Sequence, residues 1–273
     1  MLRKGVTITR GLGDRTYLSE RLWRFGLMLG NRGKFVESLS VMEEALELLG
    51  ESRSPIHLAF AHQGLGIAET NLGRYQEARI HLQKGIDLFR TSGHLWGIRF
   101  TRFLLANVAL AEEQYGDAQR LLRETVAGFQ ETSVQSDLGQ PLASLSRASY
   151  GLGRLNEAHQ HLCAALQICI EIHDMPTSTH ILPMAALLLA DGGQVERAVE
   201  LYALASRYPH VANSRWYEDV AGKHIAAAAT TLPPEVVAAA QERGRARDLE
   251  ATVKELLAEL EADIYDEEGT AEN

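Results

Sequence analysis

The chain has 273 residues, of which 45% are hydrophobic and only 7 are proline, so it can form a continuous core that is mostly helical. Its formal net charge of −9 disfavours sequence-independent nucleic-acid binding, which needs a basic surface. No apolar run reaches the roughly 18 residues that cross a bilayer, and the N-terminus lacks the apolar core of a signal peptide.

The two cysteines, Cys163 and Cys169, lie six residues apart in the sequence. On one helix they would face different directions, so they cannot form a disulfide with each other. A reducing compartment is the natural location for such a chain. We therefore expect a soluble, cytoplasmic protein.

A small residue recurs in one slot at a spacing of 40, inside the phrases GKFVES, GRYQEA, EQYGDA, GRLNEA and GQVERA. A fixed period of this kind is typical of a tandem repeat protein. On both sides of each phrase, large apolar residues follow helical rather than strand spacing, which predicts two helices per unit. We expect the small residue to lie where these helices cross closely. The five positions are Ser38, Ala78, Ala118, Ala158 and Ala198.

The turn between the two helices is expected to pass through a left-handed residue, which glycine adopts at least cost. Glycine occupies this slot in four units, and Glu113 occupies it in the third. A left-handed glutamate there should cost roughly 1 kcal/mol, unless the turn is built differently. The four glycines are Gly33, Gly73, Gly153 and Gly193.

The first twelve residues align with the second half of a later repeat at an offset of 80, matching Leu2 to Leu82 and Gly5 to Gly85. We interpret residues 1–12 as the second helix of an incomplete repeat, whose uncovered apolar face permits self-association. On this interpretation the chain is the C-terminal part of a longer protein. The alternative is a genuine start at Met1 with a short irregular cap.

Residues 13–211 are predicted to form five two-helix repeats, and the second unit resembles the tetratricopeptide repeat. Its motif residues are Leu65, Gly66, Gly73, Tyr75, Ala78 and Leu82. The resemblance implies an all-α, right-handed superhelical solenoid of antiparallel helix hairpins. The period of 40 exceeds the usual 34. It resembles the longer variant in the sensor arms of bacterial signal-transduction ATPases, including LuxR-type and maltose-activator-like regulators.

After the repeats, residues 212–262 are predicted to form C-terminal capping helices, one of which starts at Pro233 and Pro234. This stretch is similar to the C-terminal end of those same regulators. A basic cluster of Arg243, Arg245 and Arg247 is flanked by acids and is expected on a solvated helix face. Residues 263–273 are acidic and are expected to be a disordered tail.

The resemblance places any binding site on the concave face, which is lined by the first helix of each hairpin. Aromatic rings next to amides at these positions suit a protein, an extended peptide or a small-molecule effector. For Phe60 and Phe103 we keep open the alternative that they pack against the neighbouring hairpin. The expected groove residues are Trp23, Asn31, Phe60, Gln63, Ile67, Asn71, Phe103, Asn107, Arg147 and Tyr150.

Catalytic and nucleotide-binding signatures are missing from the sequence, so we expect no enzymatic activity and no cofactor. His159, His161 and Cys163 have metal-binding side chains, but they fall in polar, solvent-side slots of the repeat, so we predict no metal site. The function that the resemblance implies is a binding arm, without direct contact to nucleic acid or membrane, in a larger regulatory ATPase. The alternatives are a freestanding adaptor and a metal-dependent activity at His159 and Cys163.

Overall fold

A computed structural model describes residues 15–50, 54–132 and 135–271, and helix is the only regular secondary structure in these ranges. Five antiparallel hairpins follow one another along the chain, each packed on the next. None of the helices in the described ranges combines the length and apolar character needed to span a membrane. The hairpin helices are α1 (Arg15–Gly30), α2 (Phe35–Leu49), α3 (Pro55–Asn71), α4 (Tyr75–Thr91), α5 (Leu95–Ala111), α6 (Tyr115–Gln130), α7 (Gly139–Gly151), α8 (Leu155–Glu171), α9 (Met175–Asp191) and α10 (Val195–Ala205).

The small-residue slot lies at the helix crossings inside the hairpins, as the repeat pattern predicts. Ala78, Ala118 and Ala158 have no exposed surface. Ser38 is also buried, and its hydroxyl donates to the carbonyl of Gly26, 2.7 Å away across the hairpin. The slot therefore accepts only a side chain that adds little volume, since protein interiors are close-packed.

The turn inside each hairpin passes through a left-handed residue. Glu113 adopts the same conformation as the glycines, with φ of 59°, against 68° at Gly33 and 76° at Gly73. In its turn the amide of Gln114 donates to the carbonyl of Ala109 at 2.8 Å, which is the bond that ends a helix of this type. The hairpin geometry therefore overrides the cost of a left-handed glutamate.

The first part of the predicted capping segment, residues 212–222, differs from the prediction, whereas helices do follow it over residues 223–262. Residues 209–222, which we call the strap, return along the concave face of the hairpins instead of closing the end of the solenoid. The strap contains the short helices α11 (Pro209–Ala212) and α12 (Arg215–Tyr217) and the π-helical turn Glu218–Gly222, and it leads into α13 (Lys223–Ala229). The strap takes this path because it buries two large aromatic side chains against the hairpins: Trp216 and Tyr217 are each only 6% exposed.

Two further helices complete the described chain, α14 (Pro234–Ala246) and α15 (Leu249–Ala271). α14 packs against α10, and α15 packs against α8. The expectation of a disordered tail is wrong for residues 263–271, which continue α15, since adding residues to an existing helix is cheap and no proline stops it. Residues 272–273, and the predicted half-repeat at residues 1–12, lie outside the described residues.

The basic cluster at the C-terminal end of α14 is not simply solvated, because two of its three arginines pair with a carboxylate of α10, which corrects the sequence interpretation. Arg243 donates to Glu200 at 3.1 Å, and Arg247 donates to the same carboxylate at 2.6 Å. Burial of Glu200 opposes its ionisation, but these hydrogen bonds outweigh burial and lower its pKa. The arginines therefore attach the C-terminal helices to α10.

Replacing Ala78 with leucine should lower the free energy of unfolding by about 1 to 3 kcal/mol, because a larger side chain overpacks the hairpin crossing. Thermal or urea unfolding followed by circular dichroism measures the change. Ile80→Leu on the same helix is the control, since Ile80 is 67% exposed. Equal stability of the Ala78→Leu variant and the wild type would contradict the assignment of the slot.

Candidate ligand-binding cleft on the concave face

The strap is held on the concave face by hydrogen bonds to all five hairpins, through three side chains and two backbone carbonyls. Arg147 on α7 is 3% exposed, and its Nε donates to the carbonyl of Val220 at 2.9 Å. Its Nη2 donates to the hydroxyl of Tyr115, and its guanidinium lies 4.8 Å from the centre of that ring. A buried cation is thus balanced by one strap carbonyl and by aromatic faces.

Two asparagines of the concave face also bind the strap. The hydroxyl of Ser214 donates to Oδ1 of Asn71 at 2.7 Å. The indole nitrogen of Trp216 donates to the backbone carbonyl of Asn107 at 2.6 Å. The concave face therefore binds another segment of this same chain through amide groups of its asparagines, one from a side chain and one from the backbone.

Close approach of the strap also requires glycine at Gly33 in the first turn. A Cβ atom at Gly33 would overlap the carbonyl oxygen of Pro209, and the residue is left-handed as well. Asn213 then donates to the carbonyl of Gly33 at 3.3 Å. This glycine therefore serves both the turn and the docking of the strap.

Beside the strap, a cleft of about 330 Å³ remains open between α1, α3, α5 and the strap itself. Its walls are rich in aromatic rings, with Trp96 stacked on Phe100 at 4.9 Å and an interplanar angle of 8°. The indole nitrogen of Trp96 donates to Asp137 at 2.8 Å, which fixes the ring. Such a concave, aromatic surface with a few polar groups is the usual form of a small-molecule or peptide site.

Seven of the ten groove residues expected from the sequence line this cleft, and three do not. Phe60 packs in an aromatic cluster with Trp23 and Phe89, at ring distances of 4.7 and 5.0 Å. Arg147 lies under the strap, and the ring of Tyr150 lies 5.4 Å from its guanidinium. The seven that line the cleft are Trp23, Asn31, Gln63, Ile67, Asn71, Phe103 and Asn107.

The sequence reasoning missed Trp96 and the strap residues His210, Trp216 and Tyr217, which also line the cleft. A signal for the strap was available in the phrase SRWYEDV, where two adjacent aromatic residues follow the end of the repeats. Large aromatic side chains outside a repeat pattern need a surface to bury them. Nothing in the phrase itself specifies that the surface is the concave face.

Two histidines connect the strap to the fifth hairpin. The rings of His180 and His210 stack at 4.3 Å, and Nδ1 of His180 shares a hydrogen bond of 2.6 Å with the hydroxyl of Tyr217. His210 shares a second hydrogen bond, of 2.9 Å, with Thr179. Burial, and to a smaller extent His210, lower the pKa of His180 to about 3, and burial lowers the pKa of His210 as well. Both rings are therefore neutral near neutral pH.

The cysteine of the predicted solvent-side cluster is a poor ligand for a metal. Burial raises the pKa of Cys163 to about 11, with Glu261 as a smaller contribution, and metals bind the thiolate. In the ranges that the structure describes, no three side chains of the metal-binding types come together. Cys169 is buried in the core at 1% exposure.

Comparison with known proteins identifies the repeat class. Residues 18–91 match the tetratricopeptide repeat family. The chain resembles putative kinesin light chain repeats from Podospora anserina, with a TM-score of 0.51 and 20% identity, over 74% of this chain and 99% of that one. Together with the hairpin architecture, this defines an all-α solenoid of tetratricopeptide-like repeats. No curated protein matches the chain.

Two further solved structures share the fold at low identity. Aspartyl phosphate phosphatase F from Bacillus subtilis aligns with a TM-score of 0.63 and 17% identity, over 91% of this chain and 65% of that one. The Rap conjugation gene regulator of plasmid pLS20, in complex with the Phr* peptide, aligns with a TM-score of 0.61 and 16% identity. The alignment covers 94% of this chain and 77% of that one. The chain thus spans 65% of the length of the phosphatase structure.

Replacing Arg147 with methionine should lower the free energy of unfolding by about 1.5 to 3 kcal/mol, because the buried carbonyl of Val220 loses its charged partner. Deuterium exchange should rise in the strap more than in the hairpins. Arg120→Met is the control, since Arg120 pairs only with residues of its own helix and is 59% exposed. Unchanged strap exchange in Arg147→Met would contradict the role of this residue as an anchor.

Docking of the strap should weaken as pH falls from about 7 to about 5, because the unfolded or detached histidines bind protons that the docked ones do not. A folded pKa below the ordinary value gives stability that is present above that value and is lost on acidification. His62, His81, His161 and His224 also have lowered pKa values, so the whole chain should lose stability in the same direction. Amide deuterium exchange in the strap of a His180→Gln, His210→Gln double variant should depend less on pH than in the wild type. An identical pH profile in the two proteins would refute the role of these histidines.

Proposed function

We propose that this protein is a non-enzymatic binding scaffold that takes a peptide or small ligand in the cleft on its concave face. The observation that carries the proposal is the cleft itself, in which aromatic rings and amide groups from three hairpins converge beside the strap. Clefts of this size and composition supply apolar area together with a few oriented hydrogen bonds. The pKa of Cys163 disfavours the alternative of a metal-dependent activity at His159 and Cys163.

The strap supports recognition of polypeptide by this face. Arg147 already binds one backbone carbonyl of the strap, and Asn71 and Asn107 bind two of its side chains, so these residues have the reach and the chemistry to hold a polypeptide segment. The same contacts occupy the side chains of Asn71 and Arg147, whereas Asn107 uses its backbone carbonyl and keeps its side-chain Nδ2 donor. A partner in the cleft would therefore meet the rings and the remaining amide groups first.

The strap also provides a way to transmit ligand binding in the cleft to the C-terminal helices. Trp216 and Tyr217 form one wall of the cleft, and the strap continues directly into α13 at the C-terminal end. A ligand that binds better with the strap docked than with the strap detached must shift that equilibrium. The reverse holds by linkage, since docking of the strap then strengthens ligand binding.

The larger setting that we infer is the sensor arm of a regulatory ATPase. Support comes from the period of 40 and from the C-terminal phrase QERGRARDLEATVKELL, which resembles the ending of such arms. An in-frame nucleotide-binding domain encoded upstream of Met1 would agree with this setting, whereas a stop codon just before Met1 would refute it. The second candidate is a freestanding adaptor that brings two proteins together, favoured by the peptide complex of the pLS20 regulator.

Binding in the cleft should depend on Trp96, which is 39% exposed and can be changed without opening the core. Titration of synthetic peptide and small-molecule panels by calorimetry should give a ligand whose affinity falls at least about tenfold in Trp96→Ala, a loss of about 1.4 kcal/mol or more.

Leu95→Ala is the matched control, because its neighbour Leu95 is 62% exposed and does not line the cleft. Its affinity should stay within about twofold of the wild type. Equal affinities of the wild type and Trp96→Ala for every ligand found would exclude the cleft as the binding site.

A further inference from the structure

We propose that the cleft selects an uncharged, flat, ring-containing small molecule that carries hydrogen-bonding groups at its edge. This inference rests on the proposed function, because it names the ligand class of the same cleft. Three features of the cleft walls carry it: the charge of the lining, the stacked rings and the amide atoms that lack a protein partner.

The lining of the cleft is free of formal charge. Asp, Glu, Lys and Arg make up 23% of the whole chain, so 22 lining residues of average composition would include about five of them. None of the 22 described residues that line the cleft is of these four types. Its two histidines, His180 and His210, have lowered pKa values and are neutral near neutral pH. A charged ligand would have to give up its hydration without gaining an opposite charge.

The rings form a stacking surface rather than a filled core. Trp96 and Phe100 are parallel, while Phe103 lies 5.6 Å from Phe100 and is tilted by 56°. On the opposite wall, Trp216 and Tyr217 meet edge to face at 4.8 Å. Trp96 is one of the few large hydrophobic side chains with substantial exposure. A flat ring placed against Trp96 would bury that exposed face and gain an offset-stacked contact.

The hydrogen-bonding capacity left in the cleft belongs to neutral amides. Nε2 of Gln63 donates to Thr101 at 2.8 Å, and its Oε1 has no partner among the described residues. Oδ1 of Asn107 accepts from Ser144 at 2.8 Å, which leaves the Nδ2 group of Asn107 as a donor. One acceptor and one donor next to a stacking surface match a ligand with amide, hydroxyl or carbonyl groups.

Three naphthalene probes of nearly equal size test the charge selection: 2-naphthamide, 2-naphthoate and 2-naphthylmethylammonium. Calorimetric titration at neutral pH should show the amide binding at least about tenfold more tightly than the anion or the cation. The Trp96→Ala substitution should weaken binding of 2-naphthamide, whereas Leu95→Ala should not.

An Asn107→Asp variant sharpens the test, because aspartate keeps the acceptor for Ser144 and places a negative charge at the position of the Nδ2 donor. The ammonium probe should gain at least about tenfold in affinity in this variant relative to the wild type. Asn156→Asp is the control, since Asn156 is exposed and lies outside the cleft lining.

Equal binding of all three probes to the wild type would overturn the charge selection while leaving the cleft as a binding site. The absence of any binding by the three probes would also overturn this ligand class. The proposed function would then still be decided separately by the peptide panel and the Trp96→Ala variant.

Discussion

The return of the strap along the concave face is the contact on which the shape of that whole face depends. In a stacked-hairpin protein, each unit normally contacts only its neighbours. Here one segment of the chain binds Gly33 in the first hairpin, Asn71 in the second, Asn107 in the third, Arg147 in the fourth and His180 in the fifth. These contacts link hairpins that are not neighbours in the stack.

The chemistry of the cleft depends on the same segment. Without the strap, the concave face would be a long groove. The guanidinium of Arg147, which the docked strap buries, would then be open to solvent and to acidic partners. With the strap docked, the guanidinium is paired with the carbonyl of Val220, and the remaining opening is smaller, aromatic and uncharged. The strap thus covers the charged part of the face, and its own aromatic residues complete the wall of the cleft.

Parts of the architecture were predictable from single positions because they depend on local geometry. The small side chain at Ala78 follows from the close crossing of two helices, and a left-handed turn at Glu113 follows from equivalence with glycine in the other units. Seven of the ten groove residues that the tetratricopeptide resemblance implies line the cleft. The spacing could not decide whether Phe60 lines the groove or packs on the neighbouring hairpin, because residues on that face of α3 can do either.

The sequence by itself determined the repeating hairpin, its turns and the face that each first helix presents, because these are set by interactions between residues close in the chain. Only the tertiary structure decided what lies on that face. Val220 binds Arg147 across 73 positions, and Asn213 binds Gly33 across 180. A carbonyl or an amide is present at every residue, so no periodic signal marks the one that a distant side chain will bind. The choice is made by the shape of the assembled concave surface and by the burial of Trp216 and Tyr217 within it.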